Sequence, residues 1–174
     1  IKELEKLTKD YFDDDGFPLT RNPSDLIFFS KYLLLCKECI KDAQQYIPEF
    51  LDIIINKNLK CIKEILTPNN QIPLFNGGTE SNLEYFDKLL DDLDYNPKNK
   101  KKIIGGIHSF NIRNNAIFFD AGEPPKKDFS KSYQSGPLSF EYYLDGKKII
   151  TNCGFGSNIS AKAALLSRLT SAQS

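Results

Sequence analysis

The spacing of apolar residues changes period once along the chain, and that single change limits the folds open to it. Up to about residue 93 apolar side chains recur every three or four residues. Ile1, Leu4, Leu7 and Tyr11 form one such series, and Leu51, Ile54, Ile55, Leu59, Ile62 and Ile65 form another. This spacing stacks them on one side of an α-helix. From Ile103 to Cys153 β-branched and aromatic residues dominate instead. Two of their runs, 137–144 and 147–153, flank the dipeptide Asp145-Gly146, the pattern of a tight β-hairpin. The stretch 94–102 between the two regimes holds Asp, Tyr, Asn, Pro and Lys. The expectation is a helical part over 1–95 and a β part over 96–174. Successive strands without helices between them point to an antiparallel sandwich and away from a parallel α/β sheet.

Local signals place the helices. The first should stop at Asp13-Asp14-Asp15-Gly16, with Pro18 preventing continuation. Asn22-Pro23-Ser24-Asp25 then reads as a helix start: Asn22 caps orphan amides, Pro23 suits the first turn, and Asp25 favours the positive end of the helix dipole. That helix should run to about Ala43. Its apolar set, which includes Leu26, Ile27, Phe28, Phe29, Leu33 and Leu34, is wide enough to predict burial on two sides. A third helix follows Pro48 and ends at Thr67-Pro68-Asn69-Asn70. A loop, 71–78, precedes a shorter helix marked by Leu83, Phe86, Leu89, Leu90 and Leu93. In the second half, Gly105-Gly106 and Asn114-Asn115 read as turns, 116–120 as a strand, and 160–169 as a return to helix. Antiparallel helices with modest connections occur in bundles, toroids and solenoids.

Composition narrows function by exclusion. Lys plus Arg equal Asp plus Glu at 23 each, so the chain lacks the cationic surplus that phosphate-backbone binding requires. Local basic patches remain compatible with an anionic polysaccharide. No apolar run reaches the roughly 18 residues needed to cross a bilayer. Methionine is absent even from position 1, and Thr170 to Ser174 follow a helical run without a stop or tail signal. The sequence is accordingly expected to be a piece of a longer protein.

Several motifs that could carry chemistry have simpler readings. Cys36 and Cys39 have C-x-x-C spacing, but no second pair follows at ligand distance, so core cysteines are expected. Asp13, Asp14 and Asp15 lack the later ligands of a calcium loop and read as turn residues. Gly154-Phe155-Gly156 imitates a dinucleotide fingerprint, yet Ile159 stands where the third glycine belongs and the preceding strand is half of a hairpin. His108 is the sole histidine, and the eight tyrosines are unranked by sequence. The run Lys98 to Lys102 reads as a solvated linker. Arg21, Asn22 and Asn76 are the candidate ligand-binding residues. All three lie in polar connections beside helix ends, where Arg can clasp a carboxylate or sulfate and amides can bond sugar hydroxyls. The other reading of Arg21 and Asn22 is that they fix a helix start.

Several ordered segments resemble the heparinase II/III-like polysaccharide lyase family, above all its alphaproteobacterial branch. Asp15-Gly16-Phe17-Pro18-Leu19-Thr20-Arg21-Asn22-Pro23 is similar to that branch's Asp-Gly-Gly-His-x-x-Arg-Asn-Pro segment. Leu74-Phe75-Asn76-Gly77-Gly78 resembles its Phe-Asn-Gly loop, and Phe118 to Pro125 its Asp-Ala/Cys-Gly-x-Pro-Pro turn. Gly136 to Glu141 and Ile150 to Gly154 resemble a Leu-Ser-Phe-Glu hairpin that ends in Asn-Cys-Gly. The resemblance implies the last part of an α/α toroid followed by the start of an antiparallel β-sandwich, with a saccharide cleft between them. It implies β-elimination on a uronic-acid-containing acidic polysaccharide and a periplasmic or cell-envelope setting. No cofactor is expected, although some members hold a structural metal in the β-domain. The chain also departs from the pattern. Pro18 and Gln173 stand where the family has histidines, and His108 falls where the branch has Gln, so no catalytic role transfers to it. The alternative expectation is a non-catalytic saccharide-binding or cell-envelope protein of the same fold. By itself this stretch is expected not to cleave polysaccharide.

Overall fold

The computed structural model describes residues 1–81, 83, 86, 88, 92, 103–134 and 136–173. Helix α1 spans Lys2–Tyr11 and gives way to extended backbone at Phe12. The chain reverses there because the Asp13 carboxylate accepts from the amides of Asp15 (3.0 Å) and Phe17 (2.8 Å). This closes a turn that lets Phe12 pair with Pro18. Helix α2, Pro23–Asp42, begins as its sequence predicts, with Pro23 in the first turn and the Asn22 side chain accepting from the Ser24 amide at 2.9 Å.

Helix α3, Glu49–Ile65, buries Leu51, Ile54, Ile55, Asn58, Leu59, Cys61, Ile62 and Ile65. This broad stripe lets α3 pack against α2 on one side and the sheet on the other. Leu83 and Phe86 are buried, with Phe86 helical. Leu89, Leu90, Leu93 and the expected boundary at 94–102 lie outside the described residues.

Two expectations for α2 need correction. Its burial is one-sided: Leu26, Ser30, Leu33 and Leu34 face the core, whereas Phe28 is 55% and Tyr32 50% exposed. Those two rings pack on each other at 4.7 Å. Cys36 and Cys39 are also exposed, and only Cys61 is a core cysteine. The wide apolar set presents a second face that no described residue covers.

The β half is an antiparallel meander of five strands in chain order. They are β1 (Ile103–Ile104), β2 (Ile107–Ile112), β3 (Asn115–Asp120), β4 (Phe140–Leu144) and β5 (Lys147–Ile150). The Asp145-Gly146 turn has φ of 49° and 77°, the paired left-handed geometry that matches strand twist in two-residue hairpins. The β2–β3 turn falls one residue earlier than expected, on Arg113-Asn114, with Arg113 at φ 56° and Asn115 already paired with Ile112. Strand β5 stops at Ile150, short of Cys153, after a bulge opposite Tyr142 and Tyr143. Helix α4, Ala161–Leu166, is capped by Ser160, whose hydroxyl accepts from the Ala163 amide at 3.1 Å.

Alternation divides the sheet into two faces. Ile107, Phe118 and Tyr143 point inward and join the apolar core built by α2 and α3. Phe110, Ile117, Phe119, Phe140 and Tyr142 point outward, with Phe119 and Phe140 stacked at 6.4 Å. Phe110 is 56% exposed. No helix among the described residues is long and apolar enough to cross a membrane.

Candidate functional site

The polar groups that sequence reading singles out converge where the helices meet the inner face of the sheet. Arg21 sits in the turn between α1 and α2 at φ 58° and is buried. Its guanidinium crosses to the β half. Nε donates to the Gly105 carbonyl (2.9 Å), and Nη1 donates to the carbonyls of Gly122 (3.1 Å) and Glu123 (3.0 Å). Nη2 pairs with Asp120. Both partners are buried, and a buried ion pair holds only when its remaining donors and acceptors are also bonded, as they are here. Two close approaches make the arrangement specific to glycine. A side chain at Gly105 would collide with the Phe17 ring, and one at Gly122 with the Arg21 guanidinium.

Asp120, the last residue of β3, is shared between segments. One carboxylate oxygen takes Arg21 and the Gly122 amide (3.3 Å), and the other accepts from the Asn76 side-chain amide at 2.9 Å. Asn76 and Gly77 both adopt left-handed backbone, at φ 52° and 91°, within the loop that follows α3. The helical half and the sheet grip that loop together. Asn22 donates to the Gly77 carbonyl (3.3 Å), and Gln134 accepts from the Gly77 amide (3.2 Å) while donating to the Gly154 carbonyl (2.7 Å). Glu141 accepts from the Leu74 amide at 3.1 Å.

Glu141, from β4, is fully buried and also accepts from the Thr151 hydroxyl (3.0 Å), the Asn152 amide (3.2 Å) and the Tyr143 hydroxyl (2.8 Å). Burial, and then the Glu141 charge, push the Tyr143 phenol far above its ordinary range, so it stays protonated and donates. The half-buried Tyr133 phenol is also raised, first by burial and then by Asp120, with Arg21 acting in the opposite direction.

A groove of about 470 Å³ opens beside this cluster, lined by Pro18 and Leu19 from the helical half and by Gly122, Glu123, Pro124 and Phe129 from the β half. Asp13, Asp15 and Lys126 supply further charge there, and the Arg21 side chain reaches its wall. Burial raises the Asp13 carboxyl, an effect its backbone hydrogen bonds oppose. A concavity with an apolar wall and a few polar groups suits a small ligand or a chain segment.

Arg21 and Asn76 therefore meet on one carboxylate, and Asn22 meets the loop that carries Asn76. All three are buried. His108 lies on the outer face of the sheet, paired with Phe119, away from this cluster. Pro18 lines the groove, and Gln173 donates to the Ser167 carbonyl at 2.7 Å, so neither position offers an imidazole. The Gly154-Phe155-Gly156 segment leads into a short 3-10 turn. Among the described residues no three His, Cys, Asp or Glu side chains are grouped as a metal ion would need. Sequence reading missed Asp120, Gln134 and Glu141. The signal lay in polar residues within strand-like runs, whose side-chain partners can be distant: for Asp120, Asn76 is 44 and Arg21 99 residues away.

A helical layer joined through a polar clamp to an antiparallel meander, with a groove at the joint, defines the class of this protein. Residues 104–174, most of the β half, match the family model described as Heparinase II/III-like, C-terminal. The whole described fold extends the likeness. A crystal structure of heparinase III superposes with a TM-score of 0.81 at 11% identity, covering 99% of this chain and 33% of that one. The heparan sulfate lyase HepC from Pedobacter heparinus superposes with a TM-score of 0.77 at 16% identity, covering 98% of this chain and 31% of that one. The chain thus spans about a third of the length of these structures. Comparison with curated proteins gives no match.

Proposed function

We propose that this chain is the junction of a polysaccharide lyase that cleaves a uronic-acid-containing chain by β-elimination, its helices forming part of an α/α toroid and its sheet one layer of a β-sandwich. The observation that carries the reading is the groove at the helix–sheet joint, held by the Arg21–Asp120–Asn76 cluster, within a fold shared with heparinase III. Two uncovered apolar faces support the larger architecture. The outward aromatic layer of the sheet suits a second sheet packed on it, and the Phe28–Tyr32 face of α2 suits a neighbouring helix.

Elimination requires three things together. The uronate carboxylate must be neutralised so that the C5 proton becomes acidic, a base must take that proton, and an acid must protonate the departing glycosidic oxygen. In this reading Arg21, Asn22 and Asn76 serve the saccharide by fixing the loops that wall the groove. The test is the full-length protein incubated with heparan sulfate, alginate and glucuronan, followed by ultraviolet absorbance of unsaturated uronate ends. Enzyme-dependent absorbance on any of them is the expected result, and its absence on all three defeats the lyase reading.

A second reading has its own support. Pro18 and Gln173 remove the ionisable group at both positions where the resemblance places histidine, which favours a saccharide-binding protein that kept the fold without the reaction. Saturable binding of the same polymers without any absorbance change would establish it.

A further inference from the structure

We propose that Lys126 is the residue of this groove that binds a uronate carboxylate, a specificity residue with no part in proton transfer. The inference rests on a uronic-acid polymer being the ligand and adds a contact to that reading. Two cations line the groove, Arg21 and Lys126. Arg21 is committed to the protein: it donates to the Gly105, Gly122 and Glu123 carbonyls and pairs with Asp120. Its Nη2 is also pressed against the backbone of Gly106 and Gly122, with no room for a Cβ on either. Lys126 is exposed, and among the described residues its ammonium has no hydrogen bond or ion pair. A carboxylate entering the groove therefore finds its cation in Lys126.

The lysine is presented from a stiff base. Pro124 and Pro125 precede it, and each ring fixes its own φ. Lys126 itself is extended, and its carbonyl accepts from the Phe129 amide at 2.8 Å to start the 3-10 turn Lys127–Phe129. Beyond that turn the Phe129 ring meets Tyr11 of α1 edge-on at 5.9 Å. Arg21 holds the other end of the segment through the Gly122 and Glu123 carbonyls. The root of Lys126 is thus tied to the helical half on both sides. Only its flexible stem has to be ordered when a ligand arrives.

The other charges of the groove are acidic, which makes this contact decisive. Asp13, Asp15 and Glu123 line the same space. Carboxylates suit sugar hydroxyls, from which they accept hydrogen bonds, and they repel another carboxylate. Without Lys126 the lining would hold these carboxylates and an arginine already balanced by Asp120, a setting that disfavours a uronate.

The test measures binding, so that it stands apart from cleavage. Full-length wild type, Lys126→Gln and Lys126→Arg are passed in the cold over immobilised heparan sulfate, alginate and glucuronan. Each polymer is used as it is and with its carboxyl groups reduced to alcohols. On the native polymer that the wild type binds most tightly, Lys126→Gln should weaken binding about tenfold or more, as expected for a lost hydrogen bond between charged groups. Lys126→Arg should keep most of the affinity. On the reduced polymer the wild type and Lys126→Gln should bind alike. An unchanged affinity in Lys126→Gln overturns the assignment. So does an equal loss on both forms of the polymer, which marks Lys126 as serving sulfate or the fold. A wild type that binds none of the polymers overturns it as well. Absorbance of unsaturated uronate ends is read separately. A wild type that binds through Lys126 without cleaving defeats the lyase reading and leaves this assignment standing.

Discussion

Arg21 and Asp120 are separated by 99 residues and form a buried ion pair that ties the α1–α2 turn to the end of β3. Removing one partner leaves the other charge buried and unpaired, a loss of about 3–5 kcal/mol. Arg21→Ala should therefore destabilise the protein strongly, and Asp120→Ala similarly. The double variant should cost much less than their sum, because each single change already forfeits the pair. Urea denaturation of the three variants checks this, and strict additivity would show that the pair is not coupled.

Glu141 accepts four hydrogen bonds and, among the described residues, forms no ion pair. Glu141→Gln keeps the shape but turns an acceptor into a donor facing other donors. The expected cost is about 2–3 kcal/mol, against about 1 kcal/mol for Tyr143→Phe, which removes a single bond. Denaturation midpoints at constant m-value give the comparison.

The Tyr11 phenol is pushed up to about 12, chiefly by burial and then by the Asp25 carboxylate. The folded state thus holds this proton more tightly than the unfolded chain does. The stability it contributes is complete below the ordinary value of 10.0 and is lost as pH rises from there to about 12. Ultraviolet titration should show one fewer late-ionising tyrosine in Tyr11→Phe than in the wild type, with Tyr133 and Tyr143 late in both, and the alkaline loss of stability should shrink in that variant.

Two glycine substitutions separate crowding from backbone strain. Gly146 has φ 77° and nothing within 4 Å of an added methyl, so Gly146→Ala should cost only the left-handed penalty of about 1–2 kcal/mol. At Gly122 the methyl would displace the Arg21 guanidinium. Gly122→Ala should cost about 3 kcal/mol or more and lose most of its effect in an Arg21→Ala background. Thermal unfolding of the four proteins tests the contrast.

Much of the architecture was legible in the sequence because its causes are local. The periods of three to four and of two, the Asn22 cap with Pro23, and the Asp145-Gly146 turn each act over a few residues, and the structure places α2, α3 and the β4–β5 hairpin accordingly. The shift of the β2–β3 turn by one residue is of another kind. Arg113 takes the left-handed position because Asn115 is claimed by pairing with Ile112, a constraint set by register.

The site was legible only in part. Arg21, Asn22 and Asn76 stood out as polar residues beside helix ends, and two of them do meet. What they meet is Asp120, a residue that reads in sequence as the end of an ordinary strand. Local spacing states which side chains share a face, and so the sequence by itself determined the helices, the strands and the inward set of the sheet. It carries no term for which buried donor finds which acceptor across the core. That pairing depends on how α3 docks against β1 and β2, and the docking is a collective outcome of apolar burial. Tertiary structure alone decided that Asp120 would hold Arg21 and Asn76 together, and that Glu141 would be buried among the Leu74 and Asn152 amides and the Thr151 and Tyr143 hydroxyls.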